Sequence, residues 1–244
     1  MSGHSKWSTI KRQKGITDAK RSAVFTKLAN AITVATKTGG SGDPDANVRL
    51  RLAVDKAKSL NMPNANIERA IKRGTGEADA GKQFEEILYE GYGPGSVALL
   101  IETTTDNRNR TSSSVRQQLG TYGGKLGESG SVQWMFARRG VIVVEKRGDA
   151  DAQQLALIDA GADDIQDGAG EWVVQLVPEK LMDLKKRLED AGESIAYAQI
   201  DFIPTTPAAQ LQADDAGKLA KLIEALEENE DVTSVTTNHA EEEA

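Results

Sequence analysis

The sequence predicts an α+β chain: an N-terminal three-helix basic domain, then two α+β domains of which one is inserted into the other. Three observations carry this. Helical periodicity without a strand-like run fills residues 17–74, behind a basic arm. Between 137 and 204 the periods follow the order βαββαβ, the ferredoxin-like arrangement. A last helix and strand after residue 205 have no neighbours unless they rejoin a sheet begun at 82–136. The expected domains are therefore 1–76, then 82–136 together with 205–238, then 137–204 as the insert, with an acidic tail at 239–244.

The helices come first. Over 17–37, Phe25, Leu28, Ile32 and Ala35 recur at helical spacing, and "TGGSGD" stops the run. "DPDAN" offers Asp43 as N-cap and Pro44 as first helical residue, opening a helix to about Leu60 with Leu50, Val54, Ala57 and Leu60 on one stripe. Arg49/Lys56 and Arg51/Lys58 flank that stripe. A third helix, "NANIERAIKRG", is expected to be capped by Asn64 and closed by Gly74, with Ile67, Ala70 and Ile71 inward and Arg69, Lys72 and Arg73 outward.

After 74–82 the period changes. "EEILYEGYGPGSVALLIETTTD" reads as a hairpin with a Gly/Pro turn, "NRNRTSSSVRQQLGTYGG" as a helix burying Val115, Leu119 and Tyr122, and "GSVQWMF" as a strand. The insert supplies "RRGVIVVEK", "DADAQQLALIDAG", "DDIQD", "EWVVQLVP", "EKLMDLKKRLEDAG" and "SIAYAQIDFIP" in turn. "DAGKLAKLIEALEENED", with Leu219, Leu222, Ile223 and Leu226 on one face, and "VTSVTTN" complete the chain before "AEEEA". The α+β part, 77–244, has its own apolar faces and is expected to fold without 1–76.

Charge separates the two parts. The chain carries a formal net charge of -7. Residues 1–76 hold fifteen Lys and Arg against five acids, a net +10, and the remainder holds 15 basic against 32 acidic residues, a net −17. Such a division joins a polyanion-facing segment to a solubilising or partner-facing one. The excess begins in the first residues, where Lys6, Lys11, Arg12, Lys14, Lys20 and Arg21 are offset only by Asp18. A basic arm of this kind holds a phosphate backbone, with His4 and Trp7 available to hydrogen-bond or stack, although Trp7 is somewhat better suited to anchoring the arm on the bundle. Lys27, Arg49, Arg51, Arg69, Lys72 and Arg73 extend the basic surface over the helices.

Several function classes drop out. With no cysteine and only His4 and His239, thiolate chemistry, disulfides and Cys or His metal clusters are excluded, and no metal or cofactor is expected. "VALLI" and "VIVV" are too short to span a bilayer, and the basic start lacks the apolar core of a secretory signal, so cytoplasmic residence without membrane contact is expected. "EGYGPGS" lies between strands and not before a helix, so it reads as a turn, with Tyr92 at its tip a candidate for base stacking. "GESGS" misplaces the serine of a nucleophile elbow. No catalytic residue remains, and the chain reads as non-enzymatic. In "DNRNRT", Asp106 or Asn107 can cap the next helix and leave Arg108 and Arg110 beside free amides, a setting for phosphate, or simply two arginines facing solvent.

"GHSKW", "DAKR", "FTKL", "GGSGDPDAN", "ERAIKRG", "YEGYGPGS", "DNRNRT" and "GSVQW", in this order along essentially the whole chain, resemble the YebC/PmpR family, which includes the mitochondrial translational activators of cytochrome oxidase subunit one. The resemblance implies a helical domain and two α+β domains, and no catalytic residues. Bacterial members of that family are described as DNA-binding transcriptional regulators, whereas organellar and some bacterial members act with ribosomes in translation. The expected partner is accordingly nucleic acid, either ribosomal or transfer RNA on the ribosome or promoter DNA, bound by a chain for which a monomer is favoured.

Overall fold

The computed structural model describes residues 18–77, 83–168, 170–208 and 210–239. The fold class is the α+β one the sequence predicts. Helices α1 (Asp18–Gly39), α2 (Val48–Ser59) and α3 (Asn64–Thr75) form the N-terminal bundle. Leu28, Ile32, Leu50, Val54, Ala57, Met62, Ile67 and Ala70 make its core, so each helix turns its apolar stripe to one shared seam.

Two helix boundaries differ from expectation. Helix α2 starts at Val48 and not at Pro44, because Asn47 is the cap. Its Oδ1 accepts from Leu50 N at 3.1 Å, while its Nδ2 donates to the carbonyls of Ala35 and Ser41 at 2.9 and 3.0 Å. One buried amide thus starts α2 and satisfies the end of α1. Asp43 instead closes a turn, its Oδ1 accepting from Asp45 N. Helix α3 follows Pro63 and runs through Gly74 to a left-handed Gly76 at φ 82°. Gly74 serves contact and not termination: a Cβ there would lie 2.5 Å from the Thr36 side chain.

The first sheet has the order β3 (Lys125–Leu126), β1 (Glu85–Tyr92), β2 (Ala98–Thr105), β8 (Val232–Thr237). Strands β1 (Glu85–Tyr92) and β2 (Ala98–Thr105) pair in antiparallel register from Glu85↔Thr105 to Tyr92↔Ala98, turning through Pro94–Ser96. Helix α4 (Arg108–Thr121) leads to the two-residue β3 (Lys125–Leu126), which the sequence reading missed because two residues carry no periodicity. Alternation on β2 sends Leu99 and Ile101 to α4 and to the last helix of the chain, and Ala98 and Leu100 to a cluster with Val132, Phe136 and Phe202. Burial on both faces is why "VALLI" has no polar alternate.

"GSVQWMF" is not a strand. Gln133–Met135 form a short 3-10 turn, and the strand starts only at Phe136. The amides of Gly130, Val132 and Gln133 are occupied by the Glu90 carboxylate and cannot join a ladder.

The second sheet has the order β5-β6-β4-β7, with β4 (Phe136–Glu145), β5 (Asp164–Gly168), β6 (Glu171–Leu176) and β7 (Ile195–Pro204) all antiparallel to their neighbours. Helices α5 (Ala150–Ala160) and α6 (Leu181–Asp190) cover one face, burying Ile142, Val144, Leu157, Trp172, Leu184 and Leu188. The other face gathers Val141, Val143, Val173 and Ile203. After β7 the chain returns to the first sheet. Helix α7 (Ala213–Glu228) lays Leu219, Leu222, Ile223 and Leu226 on it, and β8 (Val232–Thr237) pairs with β2.

The bundle is keyed into both sheet domains. Leu52, off the bundle's own stripe and 5 % exposed, sits in the core of the second sheet domain. Gln199 Nε2 donates to the Leu52 carbonyl at 2.9 Å, and Lys185 Nζ pairs with Asp55 at 2.7 Å.

Candidate nucleic-acid interface

The bundle's cations divide into two groups. On α3, Ile67 and Ala70 are buried, so Arg69, Lys72 and Arg73 are carried to the opposite side, Arg69 and Lys72 exposed and Arg73 half-buried. None of the three has a carboxylate partner among the described residues, and Glu68, one turn before Lys72, forms no ion pair with it. Lys72 and Arg73 stand in the last turn, where the helix dipole favours positive charge. That accounts for their tolerance there but neutralises little of their charge.

Of the other predicted positions, Arg49, Arg51 and Lys27 are engaged inside the chain. Arg49 pairs with Glu86 across to β1. Arg51 reaches the Pro44 carbonyl at 3.0 Å and the Asp45 carboxylate at 2.9 Å. Lys27 is half-buried and donates to the carbonyl of Glu227 at the end of α7. Burial lowers its pKa to about 8 against the opposing pull of Glu227, Glu230, Asp231 and Glu228. Arg21 is exposed in the first turns of α1, and Lys20 lies in the same turn. His4, Lys6, Trp7, Lys11, Arg12 and Lys14 lie outside the described residues.

Arg108 and Arg110 face solvent, and each is also paired with carboxylates of the chain. Asn107 Oδ1 accepts from Arg110 N at 3.1 Å, filling the cap. Arg108 pairs with Glu85 at 3.0 Å. Arg110 Nη2 lies 2.7 and 2.8 Å from the two oxygens of Asp231 and 2.9 Å from Asp106. Thr111 Oγ1 also meets Asp231, at 2.7 Å. The seat a phosphate would take is held by the chain's own carboxylates. Beside it, Arg110, Ser114, Gln118, Asn229 and Glu230 line a cleft of about 420 Å³ whose rim is acidic, unsuited to a polyanion.

Tyr92 is not at an exposed tip either. It is half-buried, its hydroxyl donating to the Ser131 carbonyl at 3.1 Å, because the GYGPG turn folds back onto the 127–134 loop. That loop presents Trp134, which is 64 % exposed and which the sequence reading absorbed into an apolar strand. Among the described residues, no group of His, Asp and Glu is placed to hold a metal ion, and no helix is long and apolar enough to cross a membrane.

A basic three-helix bundle clasped by two α+β domains, one threaded through the other, defines the class of protein. Residues 5–77 match the family model for the TACO1/YebC protein N-terminal domain, and 84–239 match that for the TACO1/YebC second and third domain. The chain belongs to the TACO1/YebC family. A probable transcriptional regulatory protein of Pelotomaculum thermopropionicum is 49 % identical over 242 residues, 98 % of each chain. One of Chlorobium chlorochromatii, named in the same words, is 52 % identical over 240 residues, 98 % of this chain and 95 % of the relative. The crystal structure of a conserved hypothetical protein from Aquifex aeolicus superposes with a TM-score of 0.83 at 45 % identity, covering 91 % of both chains.

Proposed function

We propose that this protein is a non-enzymatic regulator of gene expression that binds nucleic acid through its basic N-terminal surface, with ribosomal or transfer RNA as the target and translation as the process. The observation that carries the reading is the contrast on the bundle. Carboxylates neutralise Arg49, Arg51, Arg108 and Arg110, whereas Arg69, Lys72 and Arg73 share one face of α3 with no partner among the described residues. Unneutralised cations clustered on a rigid helix next to a basic arm are what a phosphate backbone binds.

A second reading, a regulator that binds promoter DNA with the same surface, is favoured by one feature of the bundle and by the relatives' names. Helices α2 and α3 are joined by four residues, Leu60–Pro63, with Asn61 at φ 58°, and the second helix of the pair carries the outward cations. That is the order of a helix-turn-helix unit.

Two experiments test the proposal. Replacing Arg69, Lys72 and Arg73 together by Glu should weaken binding to RNA and DNA of every sequence and flatten the dependence of log K on log salt by about two to three units. An unchanged affinity and slope would place the surface elsewhere. Ultraviolet crosslinking in growing cells, with sequencing of attached RNA and DNA, separates the targets. Ribosomal or transfer RNA on peptides from 4–27 and 64–77 supports translation, and discrete promoter DNA with little RNA supports transcription.

A further inference from the structure

The loop at 127–134 holds an indole in water on a fixed mount. Glu90 is buried on β1, and its carboxylate accepts from the amides of Gly130 at 2.6 Å and of Val132 and Gln133 at 2.8 Å. Its backbone carbonyl accepts from Gly127 N at 2.8 Å, so one residue ties down both ends of the loop. Val132 is fully buried beneath. The Ser131 carbonyl accepts from Tyr92 Oη at 3.1 Å and from Trp134 Nε1 at 3.2 Å, which brings the two aromatic side chains to one point.

Charge completes the arrangement. Lys125 Nζ stands 5.4 Å from the centre of the Tyr92 ring, and the Arg138 guanidinium lies 6.0 Å from that of Phe202, in the same apolar cluster as Tyr92. Both cations are exposed, and neither has a carboxylate partner among the described residues. Glu128 is the exposed acid of this loop and pairs with neither. An indole left this far in water forgoes burial that other large side chains of the fold obtain.

We propose that this face is a second nucleic-acid contact, in which an unpaired base of a single strand stacks on Trp134 while Lys125 and Arg138 meet the flanking phosphates. Stacking on a rigid indole accepts any base but requires it unpaired, and two cations set against the same aromatic cluster attract its backbone. The inference rests on the nucleic-acid reading above and adds to it a preference for single strands, located on the first sheet domain and not on the bundle.

The test uses the full chain with a labelled oligo(U) RNA, an oligo(dT) of equal length, and a duplex RNA of equal length, followed by fluorescence anisotropy across a salt series. Trp134→Ala should weaken binding of both single strands about tenfold, with the salt slope and duplex affinity unchanged, and Trp134→Phe should restore part of the loss. In a Trp7→Phe background, single strands should quench the tryptophan emission, since the other indole, Trp172, is buried. Lys125→Gln should reduce the salt slope for single strands by about 0.7. Single-strand affinity unaltered by Trp134→Ala, or absent quenching, while the α3 charge reversal still weakens binding, would overturn this contact and leave the proposed function standing. Docking of a protein at Trp134 would give that same result. If the wild-type chain binds none of the three probes, the proposed function and this contact fail together.

Discussion

Glu90 is 4 % exposed, and its two oxygens collect three backbone amides. Burial alone would raise its carboxyl, but the N–H donors of Gly130, Val132, Gln133 and Ser131 outweigh it and hold the pKa below the ordinary 4.5. A carboxyl lowered in the folded state adds stability above its unfolded pKa, and that stability is lost as pH falls through the folded value. Glu90→Gln offers one acceptor oxygen where the carboxylate offers two, leaving at least one of the three amides without its partner. The variant should lose about 1–3 kcal/mol at pH 7, and the deficit against wild type should shrink as the medium is acidified below pH 4.5. Urea unfolding at several pH values checks this, and a deficit independent of pH would mean that geometry and not charge holds the loop. The sequence showed Glu90 only as one acid in a Gly-rich hairpin, since the amides it binds lie some forty residues later.

At the scale of elements, two helical glycines should respond in opposite ways. Gly74 in α3 meets Thr36 of α1, where an added Cβ would fall 2.5 Å from a side-chain carbon and 2.7 Å from the Thr33 carbonyl oxygen. Gly120 in α4 has nothing within 4 Å. Thermal unfolding should show Gly120→Ala more stable by about 0.5–1 kcal/mol, the conformational gain of alanine in a helix. Gly74→Ala should be less stable by about 1–3 kcal/mol, because overpacking at the α1–α3 contact exceeds that gain. Equal shifts at both sites would deny the close approach of these helices. Helices, hairpin and the βαββαβ order were legible because their periods of 3.6 and 2 are local. The ends of α2 and α3 were not: Asn47 caps by reaching back to Ala35, and Gly74 is set by a partner helix.

Across the whole molecule, the bundle is joined to the core of the second sheet domain by one side chain. Leu52 packs with Ile142, Trp172 and Leu184 of the second sheet domain. Lys185 keeps its charge although burial opposes it, since the Asp55 and Glu189 carboxylates raise its pKa. The α+β part is therefore less self-sufficient than its own apolar faces imply. Leu52→Ala in the full chain should cost about 2–5 kcal/mol, and the buried Trp172 should report the loss in denaturant titrations followed by its fluorescence. An excised 77–244 fragment should unfold at lower denaturant than the same region in the full chain. Equal midpoints for fragment, variant and wild type would show the contact to be energetically idle.

The sequence by itself determined the element order, the return of the last helix and strand to the first sheet, and a basic end joined to an acidic remainder. Period and charge count are properties of neighbours along the chain, so they need no coordinates. Only the tertiary structure decided which cations are available. Arg110 is matched by Asp231 and Arg49 by Glu86, each from a distant segment, while Arg69, Lys72 and Arg73 meet no acid among the described residues. Ion pairing depends on charges within a few ångströms of one another, and that proximity is set by the packing of elements that no local period encodes. The exposure of Trp134 was decided in the same way, by a buried carboxylate on another strand that draws its loop out of the sheet.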